Sequence, residues 1–206
     1  MAGNSYTENP RYSDLPIDPL FLERWSPRAF DGSVVVEKDL AIMLEAARWA
    51  PSAFNVQPWR FICSLRNDPD WQRSLEVLLP FNAGWANSAG ALIFVCSDKY
   101  VDKKDKPPEA SHSHSFDAGA AWAMLAMQAT RLGYYTHGMT GLNFEQAPEL
   151  LQIPDRFRLE AAVAIGRMGD KSQLPENLQA REQPSDRKQL DEMVFQGRFG
   201  QPYQKL

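Results

Sequence analysis

Two short segments of this chain carry side chains that could bind a flat, charged ligand. The first segment, Pro51 to Trp59, reads Pro-Ser-Ala-Phe-Asn-Val-Gln-Pro-Trp, and it presents Ser, Asn and Gln between two prolines that restrict the backbone. An Asn or Gln amide has both a donor and an acceptor, so it can pair with a heterocycle edge that alternates the two. The segment therefore predicts contact with a flat, polar-edged heterocycle.

The second segment, Arg24 to Arg28, places two guanidinium groups on either side of Ser26. Arginine binds phosphate oxygens through two parallel hydrogen bonds, and a serine hydroxyl can complete the contact. Alone, such a pair is more often an ordinary surface feature, because most arginines are exposed. A polar, proline-bearing loop is likewise more often a simple turn.

Together, and about two dozen residues apart, the two segments resemble the nitroreductase family of FMN-dependent oxidoreductases. Members of that family open with Arg-x-Ser-x-Arg/Lys and then carry Pro-Ser-x-x-Asn-x-Gln-Pro-Trp. The resemblance runs from about Phe21 to Arg187, and it continues in the apolar segment Phe116 to Leu132 and in the turn 138–141.

The resemblance implies an FMN site with two halves. The first half would contact the phosphate, the ribityl chain and the pyrimidine edge, with a cation stabilising the negative charge of reduced flavin; its residues are Arg24, Trp25, Ser26 and Arg28, with Arg187 as a further phosphate ligand and Arg167 as a weaker candidate. The second half would reach the flavin held mainly by the partner subunit; its residues are Pro51, Ser52, Ala53 and Asn55, with Gln57 supporting the loop.

Four more residues are implied beside the ring. Asn82 would lie at the pyrimidine side, and Met139, Thr140 and Gly141 would form a turn along the flavin that supplies a backbone N–H to N5. Many family members have Glu at the position of Thr140, and some have Lys at the position of Ser185. Any role of those two side chains is therefore open in this chain.

The function implied is hydride transfer from NAD(P)H through flavin N5 to a nitroaromatic, a quinone or a similar conjugated acceptor, in a ping-pong mechanism. No catalytic side chain is expected, because the cofactor carries the chemistry. The chain has no Gly-x-Gly-x-x-Gly fingerprint, which such an enzyme does not need. Alternatives are a same-fold flavoenzyme with other chemistry (dehalogenation, flavin fragmentation or dehydrogenation) and a non-catalytic FMN-binding module. Trp25, Phe54, Trp85 and Phe116 are possible walls of the substrate slot, although such aromatics more often belong to a core.

The elements that must position these residues follow from hydrophobic periodicity and from Pro and Gly breaks. Predicted helices are 18–25, 37–49, 68–79, 116–132 and 143–151; predicted strands are 59–65, 91–96, 134–137 and 160–165; residues 97–115 are predicted to be a solvated loop. The helix 116–132 is apolar all round, which predicts burial in the core or in a subunit interface.

The resemblance implies an α+β fold, a three-layer sandwich whose central, mainly antiparallel sheet is flanked by helices, in an intertwined homodimer. Three parts are expected: a polar N-terminal extension (1–17), the FMN-binding domain (18–187) and a C-terminal tail that wraps the partner subunit (188–206).

Composition narrows the class of protein further. A chain of 206 residues is long enough for one well-packed domain, and a net charge of −4 disfavours nucleic acid as a partner. The absence of a long apolar span predicts no membrane insertion and a cytoplasmic location. Cys63 and Cys96 are predicted to be buried thiols. No metal site is expected, and His112, His114 and His137 are interpreted as surface loop residues.

Overall fold

The structure is a computed structural model, and it describes residues 9–204. The parts of the predicted N-terminal extension and C-terminal tail at residues 1–8 and 205–206 lie outside the described residues.

Helices and strands alternate irregularly along the chain. The helices are α1 (Leu20–Glu23), α2 (Glu37–Arg48), α3 (Trp71–Glu76), α4 (Pro80–Ala86), α5 (His114–Arg131), α6 (Ala147–Leu150) and α7 (Glu176–Gln179), and short 3-10 turns occur at Ala53–Asn55, Lys171–Gln173 and Leu190–Glu192. The strands are β1 (Trp59–Leu65), β2 (Ala91–Asp98), β3 (Tyr100–Lys103), β4 (Lys106–Ala110), β5 (Tyr135–Met139) and β6 (Phe157–Gly166).

Four strands form the central sheet in the order β1-β2-β6-β5, and every neighbouring pair is antiparallel. Strand β2 is buried along its whole length, because apolar cores cover both faces of the sheet. Leu92 and Phe94 point into the core under α3 and α4, and Ile93 and Val95 point into the core under α2 and α5. The molecule therefore has three layers, helix on sheet on helix, and the expected α+β sandwich is confirmed.

Helices α2 and α5 and strands β1 and β2 match their predicted ranges within two residues, whereas the other elements differ more or are new. The first helix is confined to α1, the predicted helix 68–79 shrinks to α3, and the predicted helix 143–151 shrinks to α6. The last two strands of the sheet are longer than predicted, and α4 was not predicted at all.

The segment 97–115 is not a loop. It contains the hairpin of β3 and β4, which turns at Asp105 with φ of 59°. All of β4 is exposed, so its residues follow no alternating apolar pattern that periodicity could detect.

One burial prediction needs correction. Cys63 is exposed, although Cys96 is buried as expected. Helix α5 buries one face in the core, but Phe116 on its other side is 82% exposed and Met124 is 39% exposed. The apolar character of α5 all round is thus not explained by the core of one chain.

Candidate active site

A cavity of about 320 Å³ lies where the segment after α1 meets the segment after α7. Its volume is within the range of small-molecule sites. Five arginines line it, together with polar and aromatic groups: Arg11, Arg24, Arg28, Arg181, Arg187, Trp25, Ser26, His137, Gln183 and Ser185. The structure therefore brings together Arg24, Trp25, Ser26, Arg28 and Arg187 of the predicted first half, although Arg187 is more than a hundred residues from the others in the sequence.

The guanidinium groups of the cavity repel one another. Burial lowers the pKa of Arg24, and the neighbouring Arg187 lowers it further. Burial also lowers the pKa of Arg11, with Arg187 and then Arg24 acting in the same direction. Among residues 9–204, one arginine of the cavity forms an ion pair: Arg28 Nη1 lies 3.9 Å from Glu182 Oε2. Such a concentration of weakly compensated positive charge suits a polyanion such as a phosphate.

Backbone ties hold the arginine segment in place. Glu182 is buried, and its Oε1 accepts hydrogen bonds from the N–H groups of Arg28 at 2.5 Å and Ala29 at 2.8 Å. Arg11 donates to the carbonyls of Arg24 at 2.8 Å and Ser185 at 2.7 Å. The segment is therefore fixed by side chains that come from both ends of the chain.

His137 of β5 lines the cavity and links it to the turn after β5. Its Nδ1 donates to the Pro27 carbonyl at 2.9 Å, and its ring lies 4.7 Å from the ring of Trp85. The Trp85 indole N–H donates to Asn82 Oδ1 at 3.3 Å, and Asn82 Nδ2 donates to the Gly141 carbonyl at 3.1 Å. A chain of contacts thus runs from the arginine cavity to the predicted N5 turn.

The predicted turn residues lie where this chain of contacts ends. Met139 is buried, Thr140 is exposed, and a Cβ on Gly141 would lie 2.3 Å from Asn82 Nδ2. Asn82 can contact the Gly141 backbone this closely because residue 141 has no side chain. The structure therefore places Asn82 against the turn, and does not place it among the residues that line the arginine cavity.

The predicted second half of the site is a strained loop elsewhere on the chain. Phe54, Asn55 and Gln57 all have left-handed backbones, with φ of 51°, 57° and 54°. Each non-glycine residue in that region costs roughly 1 kcal/mol or more, and such strain is concentrated at functional sites. Phe54 is fully exposed. None of the described residues that line the arginine cavity comes from this loop.

Hydrogen bonds hold the loop. The Gln57 N–H donates to Ser52 Oγ at 3.0 Å, and the Ala53 N–H donates to Asp117 Oδ2 in α5 at 3.1 Å. Pro51 and Asn55 are exposed, and Ser52, Ala53 and Gln57 are half-buried. The polar side chains of the loop are therefore available to a molecule outside this chain.

The sequence alone did not single out Arg11, Arg181, Glu182 or Asp117, and it misjudged His137. His137 is not a surface loop residue, because burial lowers its pKa to about 4 and it lines the cavity. The less favoured candidate Arg167 lies over the Tyr134 ring at 4.4 Å instead of in the cavity. Of the four aromatic wall candidates, Trp25 and Trp85 are buried whereas Phe54 and Phe116 are exposed.

Membrane-spanning helices and metal-binding clusters are both absent from the described part of the chain. None of the helices between residues 9 and 204 has the length and apolar character that a membrane crossing requires. Over the same residues, no three His, Cys, Asp or Glu side chains converge in a way that could hold a metal ion.

The sequence and the fold of this chain match a known protein family. The model of the nitroreductase family matches this chain over residues 22–69 and 63–167. The chain belongs to the nitroreductase family.

Individual relatives of this nitroreductase-family chain cover most of its length. YdgI of Bacillus subtilis (strain 168), by name an NAD(P)H nitroreductase, is 36% identical, and the match covers 72% of this chain and 86% of the relative. A CLA biosynthesis enone reductase from Lactiplantibacillus plantarum is 26% identical, covering 72% of this chain and 83% of the relative. A crystal structure described as an oxidoreductase containing FMN superposes with a TM-score of 0.91 at 49% identity, covering 95% of this chain and 98% of that one.

Proposed function

We propose that this nitroreductase-family protein is an FMN-dependent oxidoreductase that accepts hydride from NAD(P)H and passes it to a small conjugated acceptor. The observation that carries the proposal is the arginine cavity, in which five guanidinium groups surround a space and one of them has a carboxylate partner within the described residues. That donor set suits the phosphate of FMN. The FMN named for the 49% identical structure supports the same cofactor.

In this proposal each part of the cavity has a task. Arg24, Arg28 and Arg187 hold the phosphate, with Arg11 and Arg181 adding positive charge. Trp25 and Ser26 line the path toward the ring, and Met139, Thr140 and Gly141 lie along it with Asn82 behind the turn. When bound, FMN supplies the hydride chemistry at N5. The protein then binds and orients, and no side chain is needed as a nucleophile.

The second half of the site comes, in this proposal, from another copy of the chain. The loop Pro51 to Trp59 offers Ser52, Asn55 and Gln57 away from the arginine cavity of its own subunit. A homodimer in which this loop reaches the flavin of the partner would complete two equivalent sites.

The tail from residue 188 supports the homodimer. Leu190, Met193, Phe199 and Tyr203 are all exposed, and the tail folds back on itself with the rings of Phe195 and Phe199 in tilted contact, their centroids 4.6 Å apart. The same proposal divides the chain into a polar extension (1–17), an FMN-binding domain (18–187) and a tail that wraps the partner. Arg11 of the extension nevertheless lines the cavity. A cytoplasmic location also belongs to it, because NAD(P)H is the proposed donor.

The acceptor is proposed as a class. The names of the relatives include an NAD(P)H nitroreductase and an enone reductase, and both nitro groups and enones are conjugated electron acceptors. An acceptor that stacks in the slot left by the nicotinamide would take the hydride in a ping-pong sequence.

The test is anaerobic mixing of the purified protein with NADH and, separately, NADPH. We expect a yellow protein with about one FMN per chain whose visible absorbance bleaches with at least one donor and returns on adding a nitroaromatic or an enone. Arg24→Ala should weaken FMN binding by about tenfold or more, since it removes a charged hydrogen-bond donor. The control Arg73→Ala should leave binding unchanged, because Arg73 is exposed and pairs with Asp70. A protein that takes up no FMN refutes the proposal, and one that binds FMN but is never reduced refutes the enzymatic activity.

A further inference from the structure

The loop Pro51 to Trp59 is strained, and apolar packing does little to hold it. Three of its residues, Phe54, Asn55 and Gln57, have left-handed backbones, and the side chain of Phe54 is fully exposed. The buried residues nearest to this strained stretch are Ala50 before it and Pro58 and Trp59 at its end. Specific hydrogen bonds must therefore select this conformation over relaxed alternatives.

Asp117 provides such a bond from a different element. Its Oδ2 accepts from the Ala53 N–H and from Ser113 Oγ, both at 3.1 Å. The residue is 3% exposed, and it forms no ion pair with any of residues 9–204. A buried carboxylate without a cation is costly, so its hydrogen-bond donors and the N-terminal end of α5 must compensate for its charge.

The platform that carries Asp117 is rigid. Helix α5 packs against α2 and the sheet, with Ala118, Ala121 and Leu125 fully or nearly fully buried. Its first residue, His114, has Nδ1 2.7 Å from Ser97 Oγ in β2. The packing of α5 therefore fixes the position of the Asp117 carboxylate. The hydrogen bond from the Ala53 N–H then fixes the loop relative to α5.

We propose that Asp117 is a positioning residue of the flavin site. By accepting the Ala53 N–H, Asp117 holds the loop Pro51 to Trp59 in its strained conformation and so presents Ser52 and Asn55 to the flavin. This inference rests on the proposed function, since the loop has a flavin to contact only if FMN is bound. It gives the buried carboxylate a role in cofactor binding that the phosphate ligands cannot supply.

The experiment compares wild type, Asp117→Ala and Asp117→Asn as purified dimers. Asn keeps an oxygen acceptor for the Ala53 N–H, whereas Ala removes it. We expect Asp117→Ala to raise the FMN dissociation constant about tenfold, to alter the visible circular dichroism of the bound flavin and to speed amide hydrogen exchange in residues 50–58. Asp117→Asn should restore most of the wild-type flavin signal.

Two further variants separate positioning from general stability. Ser113→Ala removes the other donor to Asp117 but leaves the Ala53 bond, so the flavin dichroism should remain that of wild type. Ala53→Pro removes the donor from the loop side, because proline has no N–H and its ring would displace the Asp117 carboxylate, while the extended backbone of Ser52 suits a following proline. It should reproduce the effect of Asp117→Ala even if Asp117→Ala fails to fold.

The outcomes are distinct for the two proposals. A wild-type protein that takes up no FMN refutes the proposed function and this inference with it. The role of Asp117 alone is refuted if the wild type binds FMN and Asp117→Ala or Ala53→Pro keeps the wild-type FMN dissociation constant and flavin dichroism.

Discussion

His137 is the residue whose state in the cavity is best defined by its contacts. Its Nδ1 donates to the Pro27 carbonyl, so in the neutral ring Nε2 is the lone-pair acceptor. Burial lowers its pKa to about 4, and the nearby Arg28 contributes in the same direction. The ring is therefore neutral at physiological pH, and it adds no further positive charge to a cavity that already holds five arginines.

This lowered pKa predicts a pH dependence of stability. The folded pKa is about 4 against an ordinary value of 6.5, so between those values the unfolded chain binds more protons than the folded one. His137 therefore lowers the free energy of unfolding as pH falls from 6.5 toward 4. The expected loss in the free energy of unfolding is about 2 to 3 kcal/mol between pH 7 and pH 4.5. Urea unfolding of flavin-free protein at these two pH values should show a smaller drop for His137→Asn than for wild type.

The matched control is His112→Asn, because His112 is exposed. That variant should keep the full wild-type drop in the free energy of unfolding. A ring proton of His137, assigned by its loss in His137→Asn, should not titrate above pH 6 in NMR spectra. Titration of that proton near pH 6.5 would contradict the prediction.

At the scale of elements, the parts that sequence predicted well are those that bury a regular face. Helix α2 and strands β1 and β2 repeat apolar residues at helical spacing or in continuous runs, since they pack against the core. Strand β4 buries nothing, and α4 is only seven residues long, so neither carries such a signal. Their formation depends on neighbours that a local pattern does not contain.

The same limit applies to the site. The spacing of Arg24, Ser26 and Arg28 suggested a phosphate site, and the family resemblance added Arg187, which the structure places in the same cavity. Arg11 and Arg181 reach that cavity by long-range folding, and no local motif marks them. Sequence also gave no indication that Phe54 adopts a left-handed backbone, because bulky residues rarely do so.

Phe54→Gly tests the loop as an element. Glycine adopts a left-handed backbone without steric cost, and the exposed Phe54 side chain makes little contact within its own chain, so the free energy of unfolding should change by less than about 1 kcal/mol. If the ring walls the acceptor slot of the partner, the KM for an aromatic acceptor should rise several-fold while reduction by NAD(P)H stays close to wild type. Thermal unfolding and steady-state kinetics with the same preparation measure both effects. A destabilisation above about 2 kcal/mol would instead show that Phe54 supports its own fold.

At the scale of the whole molecule, one group of exposed apolar side chains lies together on the α1, α2 and α5 side. Phe21 of α1, Trp49 after α2 and Met124 of α5 line an open groove, and Phe116 lies on the exposed side of the same α5. Monomeric proteins rarely expose large apolar surfaces that are contiguous. A second copy of the chain that covers this surface would also explain why α5 is apolar all round.

A mixed dimer tests whether the two halves of a site come from different subunits. Arg24→Ala and Asn55→Ala should each weaken FMN binding in their own homodimers, because one damages the cavity half and the other the loop half of both sites. A heterodimer of the two variants pairs an intact Arg24 cavity with an intact Asn55 loop in one of its two sites. Random mixing should therefore restore about a quarter of the wild-type FMN sites, whereas sites built within single chains would recover none. Coexpression with two affinity tags isolates the heterodimer. Its flavin absorbance per dimer should reach half of the wild-type value. The absence of any recovery would place both halves of the site in the same subunit.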